Sequence, residues 1–179
     1  CVSDTSSPMH YTAELAKKSD PDCVAVFIGP SLAKRKEGQD DEFVDYVLSV
    51  EEIGALFIAK GIDIGKQIPP EALQDCKKPT ASGRNFAVTG GVAEAVKVRL
   101  KSPEKLRPAV INGLDKAGMK TLASYGKIQT GEMEIKPDTP NLVEVMSCEG
   151  GCIAGPSVIS NPRIAANQLK RYVEAGSEG

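Results

Sequence analysis

The residues best suited to chemistry are Cys148 and Cys152, spaced C-x-x-x-C in Val143-Glu144-Val145-Met146-Ser147-Cys148-Glu149-Gly150-Gly151-Cys152-Ile153-Ala154-Gly155-Pro156. Two glycines between the thiols let the backbone turn sharply and approach a bulky inorganic group. Cysteines four residues apart can share one face of a helical turn. A helix starting there would stabilise thiolates and an anionic cluster through its N-terminal dipole and free N–H groups. The pattern suits an iron–sulfur ligand pair. On spacing alone two buried structural thiols are the commoner explanation, because a lone C-x-x-x-C often arises by accident.

These thiols need elements to position them. The apolar run 142–146 leads directly into Cys148 and reads as a strand. A second apolar run, 23–28, breaks at Gly29-Pro30 into the polar stretch Ser31-Leu32-Ala33-Lys34-Arg35-Lys36-Glu37. Periodicity and breaker residues predict further strands at 43–50 and 107–111. They predict helices at 9–18, 51–60, 92–100, 114–125 and 162–175. Residues 34–42 and 126–140 read as loops, and 65–84 as a long loop with a short helix near 70–76. Thr89-Gly90-Gly91 opens the helix at 92. Short strands alternating with helices imply an α/β fold with parallel strands, right-handed crossovers and flanking helices. Ligands bind at the carboxyl ends of such strands, which is where the Ser31 and Cys148 loops fall.

Composition narrows the function. The chain has 179 residues, 41% hydrophobic and 26% charged, with a net charge of −2, which fits one modest domain. There is no basic stripe, no Trp and only 4% aromatic residues, so a nucleic-acid surface is not expected. No apolar run nears the roughly 20 residues of a membrane span. No signal peptide is visible, and five cysteines is an odd number. A disulfide framework is therefore not expected, and a cytoplasmic location is.

The two strand-end segments together resemble the catalytic domain of iron-only (FeFe) hydrogenases, which carries the H-cluster. In that family one strand ends in M/G-P-C-x-A-K-K-x-E and a later one in E-x-M-x-C-x-G-G-C-x-x-G. Glu144, Met146, Cys148, Gly150, Gly151, Cys152 and Gly155 match the second motif. Pro30, Lys34 and Glu37 match the first, with Ser31 at the cysteine position. Ser7-Pro8-Met9 is similar to the family's S-P-M/Q loop, and Phe86-Ala87-Val88-Thr89-Gly90-Gly91-Val92-Ala93-Glu94-Ala95 to its F-x-x-T/S-G-G-V-x-E-A segment. The resemblance runs from about residue 5 to 175.

The resemblance implies a 4Fe–4S cubane joined to a diiron subcluster. It makes Cys148 a cubane ligand and Cys152 the bridge to the diiron unit. Lys34 would direct its ammonium at a cyanide ligand on iron, and Glu37 would take part in proton movement. Ser7, Pro8, Met9, Pro30, Ser31, Gly90, Gly91 and Met146 would line the cofactor. Ordinary alternatives stand beside these roles: a surface lysine, a solvated loop acid, a core methionine and a helix-entry turn. The Ser31 and Cys148 loops would approach each other, and Lys34 would point over the Cys152 loop. Cys1, Cys23 and Cys76 fall on no family ligand position.

The resemblance further implies dihydrogen and protons as substrates, and ferredoxin or a linked redox or signalling domain as partner, in an anaerobic setting. Residues 1–179 read as an incomplete copy of the two-lobed domain, lacking the N-terminal lobe and its first cysteine motif. Serine is a harder and less acidic ligand than a thiolate, so Ser31 weakens the expected cluster. Glu149 and Gly155-Pro156-Ser157 depart from the best-known enzymes and are similar to the family's sensory branch. The expected function is reversible hydrogen oxidation in the complete domain, or hydrogen or redox sensing, with this chain inactive by itself. The alternative is a non-catalytic relative, either a degenerate hydrogenase or an iron–sulfur assembly factor of the same fold.

Overall fold

The computed structural model describes residues 2–67 and 79–176. Cys1, Cys76 and the helix expected near 70–76 lie outside the described residues. The described chain forms two compact units, one from 2–67 and 155–159, the other from 79–154 and 160–176. Each contains one two-stranded parallel sheet, as the alternating pattern predicts.

In the first unit, helix α1 (Pro8–Ser19) precedes strand β1 (Val26–Gly29). Pro8 starts the helix where its missing N–H costs nothing. Helix α2 (Ala33–Asp40) then leads to strand β2 (Tyr46–Ser49) and helix α3 (Val50–Ala59). β1 pairs with β2 from Val26↔Tyr46 to Gly29↔Ser49. Met9, Ala13 and Val44 are buried as the core, with Ala25, Phe27, Phe43 and Val47 packed against them. Ser49 closes β2 and opens α3 with a capping box. Its Oγ accepts the Glu52 N–H at 3.1 Å, and its own N–H donates to Glu52 Oε2 at 2.8 Å.

Helix α2 corrects the sequence expectation, which made 34–42 a polar loop. The segment has almost no apolar periodicity, so its helical signal lies in charge instead. Lys34 pairs with Glu37 and Lys36 with Asp40, at helical spacings. The helix packs through Gly38, where an added Cβ would fall 2.5 Å from a Val47 methyl. A glycine contact of this kind leaves no mark in a hydrophobic pattern. The strands are also shorter than the expected 23–28 and 43–50: the regular ladder begins at Val26↔Tyr46, and before it the Ala25 carbonyl accepts both the Asp45 and Tyr46 N–H groups, at 3.0 and 3.2 Å.

In the second unit, the short helix α4 (Ala81–Arg84) runs into a 3-10 turn at Asn85–Ala87 and then helix α5 (Gly91–Lys97). Strand β3 (Pro108–Asn112), helix α6 (Lys116–Gln129), strand β4 (Leu142–Met146) and helix α7 (Pro162–Glu174) follow. β3 pairs with β4 in parallel from Pro108↔Leu142 to Asn112↔Met146. Asp115 caps α6 through the Gly118 N–H, and Asn161 caps α7 through the Arg163 N–H. Arg84 is buried. It donates to the carbonyls of Pro79 and Tyr172 at 3.0 and 2.6 Å, and lies 4.2 Å over the Tyr172 ring. This joins α4 to the end of α7.

Helix α6 extends past the expected 125 to Gln129, since Gly126 is accommodated inside it. Helix α5 ends at Lys97, short of the expected 100. Among the described residues no helix is long and apolar enough to cross a membrane.

Candidate metal centre

Cys148 and Cys152 lie on the loop that leaves the carboxyl end of β4, as the sequence predicts. Cys148 is half-buried and Cys152 exposed. No α-helix starts at Cys148, so the two cysteines do not share a helical face. Gly150 and Gly151 have φ of +87° and +83°, so two consecutive left-handed residues turn the chain before a 3-10 turn at Cys152–Ala154. That conformation is open to glycine at little cost and breaks any helix. The Gly151 N–H closes the turn on the Cys148 carbonyl at 3.1 Å.

Two further segments, 87–89 and 112–113, hold this loop. Gly151 is buried, and a Cβ there would fall 2.7 Å from the Ala87 carbonyl oxygen and 2.8 Å from the Thr89 nitrogen. Asn112 Oδ1, at the end of β3, accepts the Gly150 N–H and the Thr89 hydroxyl, both at 2.7 Å. The Gly113 N–H donates to the Met146 carbonyl at 2.9 Å, extending the sheet toward the cysteines. Asn112 carried no signal in the sequence. It falls one residue beyond the expected 107–111 strand, and only the parallel register places it beside the loop.

Glu144 explains the other motif positions of this unit. It is 7% exposed and accepts the Gly90 and Ala93 N–H groups, each at 2.7 Å. A carboxylate at these otherwise unpaired amides satisfies the start of α5. Gly91 is required by contact, since a Cβ there would lie 1.8 Å from the Asn85 carbonyl oxygen. The Thr89-Gly90-Gly91 turn is thus tied both to β4, through Glu144, and to the cysteine loop, through Asn112 and Gly151. Met146 is half-buried and pairs with Asn112 in the sheet.

The remaining site residues sit in the other unit, around the carboxyl end of β1. Glu37 accepts the Ser7 hydroxyl on Oε1 and the Lys34 ammonium on Oε2, the latter at 2.6 Å. Burial raises the Glu37 pKa, but the bonds from Lys34 and Ser7 and the lysine charge prevail and hold it below its ordinary value. The Lys34 side chain is half-buried, and its Nζ lies 6.0 Å from the Phe27 ring centroid. Ser31 is half-buried, and its carbonyl accepts the Lys34 N–H at 3.3 Å. The Pro30 carbonyl accepts the N–H of buried Ser157 at 3.2 Å. Met9 is a core residue, 4% exposed, so its side chain packs the unit's interior. Pro8 occupies the first turn of α1 and is exposed.

A cubane takes four soft ligands, normally thiolates. Cys148 and Cys152, with the glycine turn between them, fit half of that set. Among the described residues no group of three or more His, Cys, Asp or Glu side chains is placed to hold a metal ion. The donors here match part of a cluster and do not complete one.

Comparison with known proteins agrees with the motifs. Residues 1–156 match the family described as iron only hydrogenase large subunit, C-terminal domain. The periplasmic Fe hydrogenase large subunit of Nitratidesulfovibrio vulgaris is 26% identical over 178 residues, covering 81% of this chain and 41% of that protein. The NADP-reducing hydrogenase subunit HndD of Solidesulfovibrio fructosivorans is 28% identical over 174 residues, covering 81% and 29%. The chain therefore spans less than half the length of these relatives. In fold it is similar to HydA(deltaEFG), solved in a study of stepwise FeFe-hydrogenase H-cluster assembly. The TM-score is 0.51 at 19% identity, over 92% of this chain and 57% of that one. The shared α/β fold, the motif glycines held at contact distance and the matched 156 residues agree: the chain belongs to the iron-only hydrogenase large-subunit family, within its C-terminal domain.

Proposed function

We propose that this chain supplies part of an H-cluster site, with Cys148 and Cys152 as two of its iron ligands. The observation that carries the reading is the preset cysteine loop. Gly151 sits against the 87–89 backbone and Asn112 holds Gly150, so the turn between the two thiols is held by protein contacts alone. A preset loop lowers the ordering cost of metal binding. When bound, such a cluster supplies the electrons for interconverting dihydrogen with protons and electrons.

The chain's own polar residues suit that reaction. The Lys34 ammonium, paired with Glu37, is a charge-assisted hydrogen-bond donor of the kind that would suit an anionic ligand. Glu37 sits between the Ser7 hydroxyl and Lys34 and accepts a hydrogen bond from each, a carboxylate placed to pass a proton along that chain. Ferredoxin or a linked redox domain would exchange the electrons. A reducing, cytoplasmic compartment suits thiolates that must stay reduced. Glu149 and Gly155-Pro156-Ser157 favour hydrogen or redox sensing as a second reading, with the same site used for detection.

Anaerobic reconstitution of the 179-residue chain with ferrous iron and sulfide tests the ligand assignment. Substoichiometric iron with visible thiolate-to-iron absorbance is expected, and no hydrogen uptake. Cys148→Ala and Cys152→Ala should each abolish the absorbance. Ser31→Cys, which restores a thiol at the family's ligand position, should raise the retained iron. Iron content indifferent to both cysteine substitutions would refute the assignment.

A further inference from the structure

We infer that Asn112 is a positioning residue for the iron-ligating loop, an assignment that rests on Cys148 and Cys152 being ligands. The side chain stands at the last residue of β3, opposite Met146 in the sheet. Its Oδ1 accepts two hydrogen bonds of 2.7 Å, one from the Gly150 N–H and one from the Thr89 hydroxyl. An N–H can only donate, so the atom facing Gly150 must be the amide oxygen, and the side-chain orientation is fixed. One atom thus ties the strand, the cysteine turn and the turn before α5.

Gly150 is the point where this tie matters. It has φ of +87° and precedes a second left-handed residue, in a segment with no strand or helix to hold it. Without Asn112 the Gly150 N–H loses its partner, and the turn between the thiols loses one of its fixed points. Groups that orient metal ligands from behind typically change metal affinity about 10- to 100-fold when removed.

The probe is cobalt(II), read by its thiolate-to-cobalt charge-transfer absorbance during titration of the full 179-residue chain. Asn112→Ala should weaken cobalt binding about 10- to 100-fold with unchanged far-ultraviolet circular dichroism. Asn112→Asp keeps an acceptor for both donors and should bind within a few-fold of the parent. Parent-like binding by N112A, while Cys148→Ala and Cys152→Ala lose binding, would overturn the role of Asn112 alone. Parent-like binding by both cysteine variants would instead overturn the ligand reading on which it rests. Should N112A not fold, amide hydrogen exchange of the unmodified chain decides. A protected Gly150 N–H supports the latch, and exchange at the rate of an open amide refutes it.

Discussion

The Glu144 carboxylate accepts the Gly90 N–H at 2.7 Å across 54 residues of sequence. Its second oxygen accepts the Ala93 N–H at the same distance. A strand residue therefore caps a helix that has no side-chain cap of its own. Removing the carboxylate leaves two amides at a buried site without their acceptor. Glu144→Ala should lower stability by about 1–3 kcal/mol, the usual cost of unsatisfied buried groups. Glu144→Gln keeps one acceptor and should lose less. Denaturant unfolding followed by circular dichroism measures both.

Two glycines of the same unit should respond oppositely to alanine. Gly151 has φ of +83° and backbone atoms within 3 Å of any added Cβ, so Gly151→Ala combines left-handed strain with a clash. A loss of about 2 kcal/mol or more is expected, since left-handed strain alone costs about 1–2. Gly126 lies in α6 with open space where a Cβ would stand. Gly126→Ala should stabilise by about 0.5–1 kcal/mol through helix propensity. Paired thermal melts check the contrast. Equal melting temperatures for the two variants would contradict it.

Glu37 should titrate below the ordinary carboxylate range. Burial works against its charge, but Lys34 and Ser7 outweigh that effect. Lys34→Met removes the leading donor and its charge, and should shift the Glu37 midpoint upward. Ser7→Ala should shift it the same way by less. Carbon-13 chemical shifts of the carboxyl group, followed against pH, read the midpoint directly.

Acid should destabilise the 2–67 unit through four depressed carboxylates. In Glu37 burial opposes ionisation but the Lys34 and Ser7 hydrogen bonds prevail. In Asp41 burial opposes ionisation but the Phe43 and His10 hydrogen bonds prevail. Asp45 is lowered by Lys17 and the Ala25 N–H, and Glu52 by the Ser49 N–H and Arg35. Their folded values lie below the unfolded ones, so each contributes fully above the ordinary carboxylate range. That contribution is lost as pH falls through the depressed values. Asp41→Asn and Asp45→Asn should each flatten the dependence of unfolding free energy on pH in the acid range. Unchanged slopes in both variants would contradict the assignment.

The α/β alternation, the parallel pairing and the strand-end position of both motif loops were legible from local pattern. The 142–146 strand has apolar residues bounded by Asn141 and the Ser147-Cys148 turn, and the structure reproduces its limits. Helix α2 was not legible, because its stability comes from charge pairs and from Gly38 packing on Val47, neither of which makes an apolar stripe. The paired left-handed turn at Gly150 and Gly151 was not legible either. Glycine permits the left-handed turn but does not by itself require it.

The sequence by itself determined the family, the identity of the two thiols and the glycines between them. These are chemical types at fixed spacings, which survive without knowledge of any distant contact. Tertiary structure decided what each neighbour does. Glu144 became a helix cap, Met9 a core residue, Glu37 a bridge between Ser7 and Lys34, and Asn112 the holder of Gly150. Each of these roles joins residues far apart in the chain. Only strand register and helix docking fix such distances, so no local pattern can encode them.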